Sequence, residues 1–290
     1  MPLAVPPKGP IRRVAYLGTP DLAVPPLRAL VDDGVDVALV VSQPDRRRGR
    51  GKDLLASPVK SAALELGLPV TDRVDDVLDA DVPLGVVVAF GRIIKPHVLE
   101  AVPMVNLHFS LLPRWRGAAP VERAILAGDA RTGVDLMAVE EGLDTGGTYR
   151  RSELPIGPDD TLEDLRGRLV DEGIGLLLAA LREGIGEPTP QAGEPTYADK
   201  LTAEDRRLDW GGSAVDVHRR VRLGDAWTTH GGKRLKVWRT NVPPRGDGPV
   251  VDAGDGAVEL VEVQPEGKAK IPATAWANGA HWTAGDRLGT

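Results

Sequence analysis

The stretch that decides the fold is Asn106–Pro120, NLHFSLLPRWRGAAP. It follows Met104-Val105, which reads as the end of a buried strand. Asn106 and His108 are two residues apart, so on an extended chain their side chains point to one face. An amide and an imidazole then converge at the C-terminal end of a strand, the edge where open α/β sheets hold their ligands. Pro113 fixes its own φ and biases Leu112 toward extended geometry, so Ser110 to Pro113 leaves regular structure. Taken alone, the pattern also fits an ordinary strand-to-loop passage whose histidine is satisfied by backbone.

Toward the N-terminus the chain has an α/β rhythm. Arg13 to Leu17 reads as a first strand, Gly18-Thr19-Pro20-Asp21 as a turn, and Leu22 to Val31 as a helix that Gly34 stops. The turn is neither G-x-G-x-x-G nor a P-loop. Val35 to Ser42 is apolar after Asp36, as a buried parallel strand should be. Then comes QPDRRRGRGKD, residues 43–53, which carries Arg46, Arg47, Arg48, Arg50 and Lys52 within seven positions. A charge run is usually a solvated loop. In a βα loop beside Asn106 and His108 it also suits a phosphate-rich substrate. Helices are expected over Pro58 to Leu66, up to Glu100 and over Pro120 to Ala127, with strands at Gly85 to Ala89 and Val105 to His108.

Downstream, Gly133 to Val139 and Thr148 to Leu154 read as strands around the tight turn EEGLDTGG, residues 140–147. Thr161 with Asp164 resembles a capping box for a helix to about Leu181. Gly184 to Pro195 is rich in Gly, Pro and Glu without periodicity, so it is the best linker candidate. Beyond it, a short helix at Ser213 to Val221 and strands at Leu235 to Trp238, Pro249 to Val251 and Ala257 to Val263 suggest a small β-barrel. The expected division is 1–189, with 1–10 a disordered leader, a linker at 190–207, and a second domain at 208–290.

The 290 residues allow one large domain or two ordinary ones. Cysteine is absent, which excludes disulfides, thiolate metal sites and cysteine nucleophiles. The five histidines include no His-x-x-x-His pair, so no metal site is expected. A net charge of −6 argues against a bulk nucleic-acid coater, while a local basic patch can still dock a polyanion. With no apolar run long enough to span a bilayer and no secretory signal, the chain is expected to be cytoplasmic and membrane-free; a monomer is expected.

Asn106, His108 and Asp144 together suit acyl transfer to an amine. The amide donates to a carbonyl oxygen as it becomes an oxyanion. Imidazole adds a donor or moves a proton, and a carboxylate orients it. No activated serine is evident, so direct attack by a substrate amine is simpler than a covalent intermediate. The competing reading of Asp144 is a turn aspartate bonding its own backbone. His97, His218, His230 and His281 read as surface or structural, and Trp210, Trp227, Trp238, Trp276 and Trp282 as barrel core rather than base-stacking platforms.

NLHFSLLPRWRGAAP, EEGLDTGG, the GTPDLAVPPL turn, the QPDRRRGRGKDLLASPVK loop and the tail VELVEVQPEGKAKIPATAWANG together resemble the methionyl-tRNA formyltransferase family. The resemblance implies a Rossmann-like formyltransferase domain followed by an OB-like barrel, 10-formyltetrahydrofolate as formyl donor, and the amine of methionyl-initiator-tRNA as acceptor. It implies Asn106, His108 and Asp144 as the catalytic set, and Ser110, Leu111, Leu112 and Pro113 as the folate seat. Arg92, Ile93 and Ile94 match the segment around the pterin, faced by Val139, Glu140, Glu141, Gly142 and Leu143. Arg46, Arg47, Arg48, Arg50 and Lys52 match the loop that enters the tRNA acceptor end. Arg114 and Arg116 have two open roles, facing tRNA or bracing their loop. Gly147 stands where the family usually carries aspartate, and the stretches Val221 to Trp227 and Asn241 to Gly248 are shorter than the family's. The alternatives are a sibling folate-dependent formyltransferase or hydrolase acting on another amine, such as an amino sugar, and an inactive RNA-binding protein on the same scaffold.

Overall fold

Val14, Ala15, Tyr16 and Leu17 are fully buried in the strand Arg13–Gly18, the middle of the five parallel strands of a seven-stranded sheet. The computed structural model describes residues 3–47, 54–283 and 285–289. Arg13–Gly18 pairs in parallel with Asp36–Val41 on one side and Gly85–Val88 on the other. Val70–Thr71 extends the sheet beyond the first, and Met104–His108 beyond the second, again in parallel. Two antiparallel strands, Arg131–Ala138 and Thr148–Pro155, complete the far edge. The chain fills one side of Arg13–Gly18 and then the other, so a topological switch point opens at its C-terminal end. Gly18 sits there, and a Cβ on it would lie 3.1 Å from the Val88 carbonyl oxygen.

The helices follow from their sequences. Ser57 caps Pro58–Glu65 by accepting from the Lys60 N–H at 3.0 Å, with proline in the first turn. Thr161 and Asp164 form a reciprocal box: Asp164 Oδ2 accepts from the Thr161 N–H at 3.1 Å, and Thr161 Oγ1 from the Asp164 N–H at 3.2 Å. It opens the helix Leu162–Glu183. One core cluster gathers Leu17, Val41, Phe90, Ile94, Val98, Leu99 and Met104 under the parallel strands. Each fully buried Leu or Val there contributes about 1.5–3 kcal/mol.

Chain contacts define two compact units, residues 1–120, 131–155 and 166–199, and residues 121–130, 156–165 and 200–290. In the second, Ala226–His230, Lys233–Asn241, Gly256–Pro265 and Val250–Ala253 form an antiparallel sheet joined by Ile271–Pro272. It wraps a core of Val217, Val221, Leu235, Val237, Val258, Leu260 and Val263 with the helix Ala214–Arg222, as a small barrel does. Trp276 is buried in that core, and Trp210 and Trp282 pack against it. Trp227 and Trp238 instead carry cations on their faces: Arg234 at 4.2 Å from the first and Lys270 at 3.3 Å from the second.

Two expectations need correction. Residues 3–10 are not a free leader: Leu3 packs on the core cluster and the Ala4 N–H donates to Leu99 O at 3.0 Å. Proline-rich composition lowers the entropy cost of docking an extended segment, which the disorder reading overlooked. The stretch from Thr189 to Ala198 is likewise not a loose tether. Tyr197–Ala198 pairs in parallel with Arg116–Gly117, and Thr148 and Thr189 exchange backbone hydrogen bonds of 2.8 and 2.9 Å.

Candidate active site

Asn106 and His108 end the Met104–His108 strand, with His108 buried and Asn106 half-buried. His108 Nδ1 lies 3.5 Å from Asp144 Oδ2. Its Nε2 is 2.9 Å from the Trp115 carbonyl oxygen. A carbonyl only accepts, so Nε2 carries the hydrogen in this arrangement. Asp144 is not satisfied by its own turn, because Oδ2 accepts from the Gly117 N–H at 2.8 Å, 27 residues away.

The loops that carry these groups are strained. Trp115 has φ +63° and Asp144 φ +50°. Aspartate tolerates the left-handed region, whereas a bulky aromatic there needs its surroundings to hold it. Trp115 is held at both backbone atoms: its carbonyl accepts from His108, and its N–H donates to Thr196 Oγ1 at 2.9 Å. The Arg114 guanidinium lies over its ring at 4.4 Å. At Gly146 a Cβ would come 2.0 Å from the Ala138 carbonyl oxygen, so only glycine lets the Asp144 turn close against that strand.

Ser110 is fully buried and donates to the Arg114 carbonyl at 2.5 Å, which closes the SLLP turn. Leu112 is buried, while Leu111 and Pro113 are half-buried. Leu112 is gripped from both backbone atoms. Its N–H donates to Asp135 Oδ2 at 2.9 Å, and its carbonyl accepts from Arg151 Nη2 at 2.7 Å. Asp135 is 0 % exposed and paired to Arg151 through contacts of 2.7 and 2.6 Å. That hydrogen bond raises the Arg151 pKa further, against a smaller opposing effect of burial. Sequence reading missed this pair, although the signal was present: an aspartate inside the apolar strand RTGVDLMA must find a cation.

The other expected contact residues separate. Ile94 is buried in the core, so its side chain supports the loop from beneath. Ile93 is 87 % exposed, and Arg92 donates to the Asp72 carbonyl at 2.8 Å. Val139 packs on the same core, Glu140, Glu141 and Gly142 are exposed, and Leu143 is 62 % exposed. Ile93 and Leu143 are thus two large apolar side chains left in water on loops of the same unit, the type of surface that would cover an aromatic ring.

Arg46 and Arg47 are exposed on a two-residue ladder with Leu54–Leu55. Arg48, Arg50 and Lys52 lie outside the described residues. Behind the ladder, Lys60 of the SPVK motif pairs with Asp45 at 2.8 Å, so this lysine anchors the loop's base. Arg116 braces its own loop: its guanidinium donates to Gln191 Oε1 at 3.1 and 2.6 Å. His97 pairs with Asp75 at 3.0 Å, His218 is buried against Thr240, and His230 packs on Trp276, all structural placements. No cluster of His, Asp or Glu among the described residues has the arrangement of a metal site.

The family described as "Formyl transferase" matches residues 12–181, and "Formyl transferase, C-terminal domain" matches residues 200–281. A methionyl-tRNA formyltransferase of Heliobacterium modesticaldum is 41% identical over 96% of this chain and 100% of its own length. One of Paracoccus denitrificans is 44% identical over 90% of this chain and 95% of its own. Among solved structures, the N-formyltransferase from Helicobacter canadensis in complex with folinic acid and dTDP-3-aminofucose superposes with TM-score 0.66 at 17% identity, over 86% of this chain and 99% of that one. HypX from Aquifex aeolicus in complex with tetrahydrofolic acid gives 0.64 at 18%, over 96% of this chain and 48% of that one. The likeness to these two structures is one of fold. The matches in sequence, over nearly the whole of both partners, establish that the chain belongs to the methionyl-tRNA formyltransferase family.

Proposed function

We propose that this chain moves a formyl group from 10-formyltetrahydrofolate to the free α-amine of methionyl-initiator-tRNA. The observation that supports the chemistry most directly is the approach of His108 to Asp144 beside Asn106, at the C-terminal edge of the parallel strands. The uncharged amine attacks the formyl carbon, and the formyl oxygen takes up negative charge. In this reading Asn106 donates to that oxygen. His108, oriented by Asp144, exchanges its Trp115 partner for the reacting group. With the ring hydrogen on Nδ1, toward Asp144, the freed Nε2 takes the surplus proton from the attacking nitrogen and gives it to the departing folate nitrogen. One C–N bond forms, one breaks, and one proton changes place. An α-amine titrates near pH ~8, so a minority of it is already neutral at physiological pH.

Ser110 to Pro113, with Arg92, Ile93 and Ile94 and the facing Val139 to Leu143, would seat the folate. Ile93 and Leu143 offer the exposed apolar surface. Arg46, Arg47, Arg48, Arg50 and Lys52 would meet the phosphates of the acceptor end, where bases are unpaired and accessible. Residues 1–189 would carry the transfer and 208–290 would help hold tRNA, with the acting species a cytoplasmic monomer. An amino-sugar acceptor is the second reading, and the arginine ladder favours the polyanion instead.

The test is to supply the chain with charged initiator tRNA and 10-formyltetrahydrofolate and to assay formyl-methionyl product. Product is expected. No product, with formylation of a nucleotide-linked amino sugar instead, would overturn the acceptor assignment.

A further inference from the structure

The Asp144 turn and the loop from Ser110 to Gly117 come from different strands, and a third segment ties them together. Gln191 Nε2 donates to the Asp144 carbonyl at 2.8 Å and to the Gly146 carbonyl at 2.8 Å. Its Oε1 accepts from Arg116 Nε and Nη2. Two carbonyls require the amide's N–H groups and a guanidinium requires its oxygen, so only one orientation of the amide fits. All four contacts lie within the first compact unit.

The flanking residues fix where Gln191 stands. On one side, Thr189 exchanges two backbone hydrogen bonds with Thr148. Gly147 permits that approach, since a Cβ there would sit 2.9 Å from the Thr189 carbonyl oxygen. On the other side, Thr196 accepts from the Trp115 N–H, its carbonyl accepts from the Arg116 N–H at 2.8 Å, and its own N–H donates to Pro113 O at 3.2 Å. Asp144 is therefore held twice: its carboxylate by the Gly117 N–H and its backbone by Gln191. The carboxylate in turn faces His108 Nδ1.

We infer that Gln191 is a positioning residue for catalysis: its amide sets the backbone of Asp144, and through the carboxylate the placement of His108. The inference rests on the assignment of His108 and Asp144 as catalytic. Small displacements of a reacting group are costly, on the order of 100-fold for ~1 Å. A segment that reads in sequence as a linker thus supplies part of the frame of the active site.

The decisive variant is Gln191→Glu, which keeps shape and the acceptor for Arg116 but turns a second oxygen toward two carbonyls. With the full chain, we expect kcat for formyl transfer to fall about 30-fold, within the range that misplacement of a catalytic group produces. KM for each substrate should stay within about twofold, and the melting temperature within about 3 °C, the size of a sub-kcal/mol change. Gln191→Ala should behave alike. In an Asp144→Asn background, Gln191→Glu should add little, because residues acting through one group are not additive. Unchanged kcat in Gln191→Glu would overturn the inference. So would a loss confined to KM for tRNA, or one that multiplies in full with Asp144→Asn. Near-normal turnover of Asp144→Asn by itself would remove the catalytic assignment, a result that no Gln191 variant alone can produce.

Discussion

Two loops of the same compact unit are built in opposite ways. The turn that carries Asp144 is held by Gly117, Gln191 and the close contact of Gly146 with Ala138. Among the described residues, Arg46–Arg47 pairs with Leu54–Leu55 in a two-residue ladder whose four side chains are exposed, and Lys60 holds Asp45 at its base. Bond making at a carbonyl needs groups fixed to fractions of an ångström before the substrate arrives. Phosphate attraction is long-ranged and tolerant of position, so a loop that supplies it needs charge rather than a frame. The Asp144 turn would therefore control the chemical step, and the arginines the capture of tRNA.

The largest expected effect is on the framed side. His108→Ala should lower kcat about 1000-fold, the upper part of the range for losing a proton-transferring group together with a donor. Folate affinity, measured by equilibrium binding, should stay within about twofold, as expected for a residue that acts chiefly in the transition state. Turnover near normal would show that His108 takes no part in the chemistry. Arg151→Ala should come next. It leaves Asp135 buried without its cation and releases the Leu112 carbonyl, at a cost of about 3 kcal/mol in chemical unfolding. A loss under 1 kcal/mol would show that water replaces the guanidinium there.

On the unframed side the expectation is different in kind. Arg46→Ala with Arg47→Ala should leave the melting temperature unchanged and weaken tRNA binding. The slope of log affinity against log salt should fall by about 1.4, two phosphate contacts at roughly 0.7 each. An unchanged slope would mean that these arginines do not meet phosphate.

The smallest effect concerns a loop outside the site that is also locked. Glu259 accepts from the N–H groups of Arg245, Gly246 and Gly248 and from the Asn241 amide, closing the abbreviated 241–248 loop. Burial pushes its carboxyl up, and these hydrogen bonds outweigh that effect and bring it down to about 2. The ionised form therefore stabilises the fold fully above the ordinary 4.5, and this stability is lost as pH falls from there through about 2. Glu259→Gln should melt lower than the parent at pH 6, with the gap narrowing toward pH 3. A gap independent of pH would contradict the assignment.

Much of this was legible in sequence. The period of the apolar residues and the proline and glycine stops placed four of the five parallel strands, all but Val70–Thr71, and most helices, because those signals are local. The pattern N-L-H placed two polar groups on one strand end. Contacts made by tertiary approach were not legible. Gln191 lies in a stretch with no periodicity, and nothing local distinguishes a tether from a brace. Ala226–His230 and Ala273–Ala280 were missed as elements, since AWTTH and ATAWANGA carry weak intrinsic signals and owe their form to the barrel core. The burial of Ile94 beside the exposed Ile93 was not legible either, because a motif marks a segment and does not say which side of it faces inward.

The most direct test of the division between framed chemistry and unframed charge is the single-turnover rate of formyl transfer at saturating methionyl-tRNA. The account predicts a fall of about 100-fold in Asp144→Asn, the cost of losing one fixed electrostatic partner, and a rate within about twofold of the parent when Arg46 and Arg47 are both alanine, since saturation removes a binding defect. A normal rate in Asp144→Asn, or an equally deep loss in the arginine variant at saturation, would contradict it.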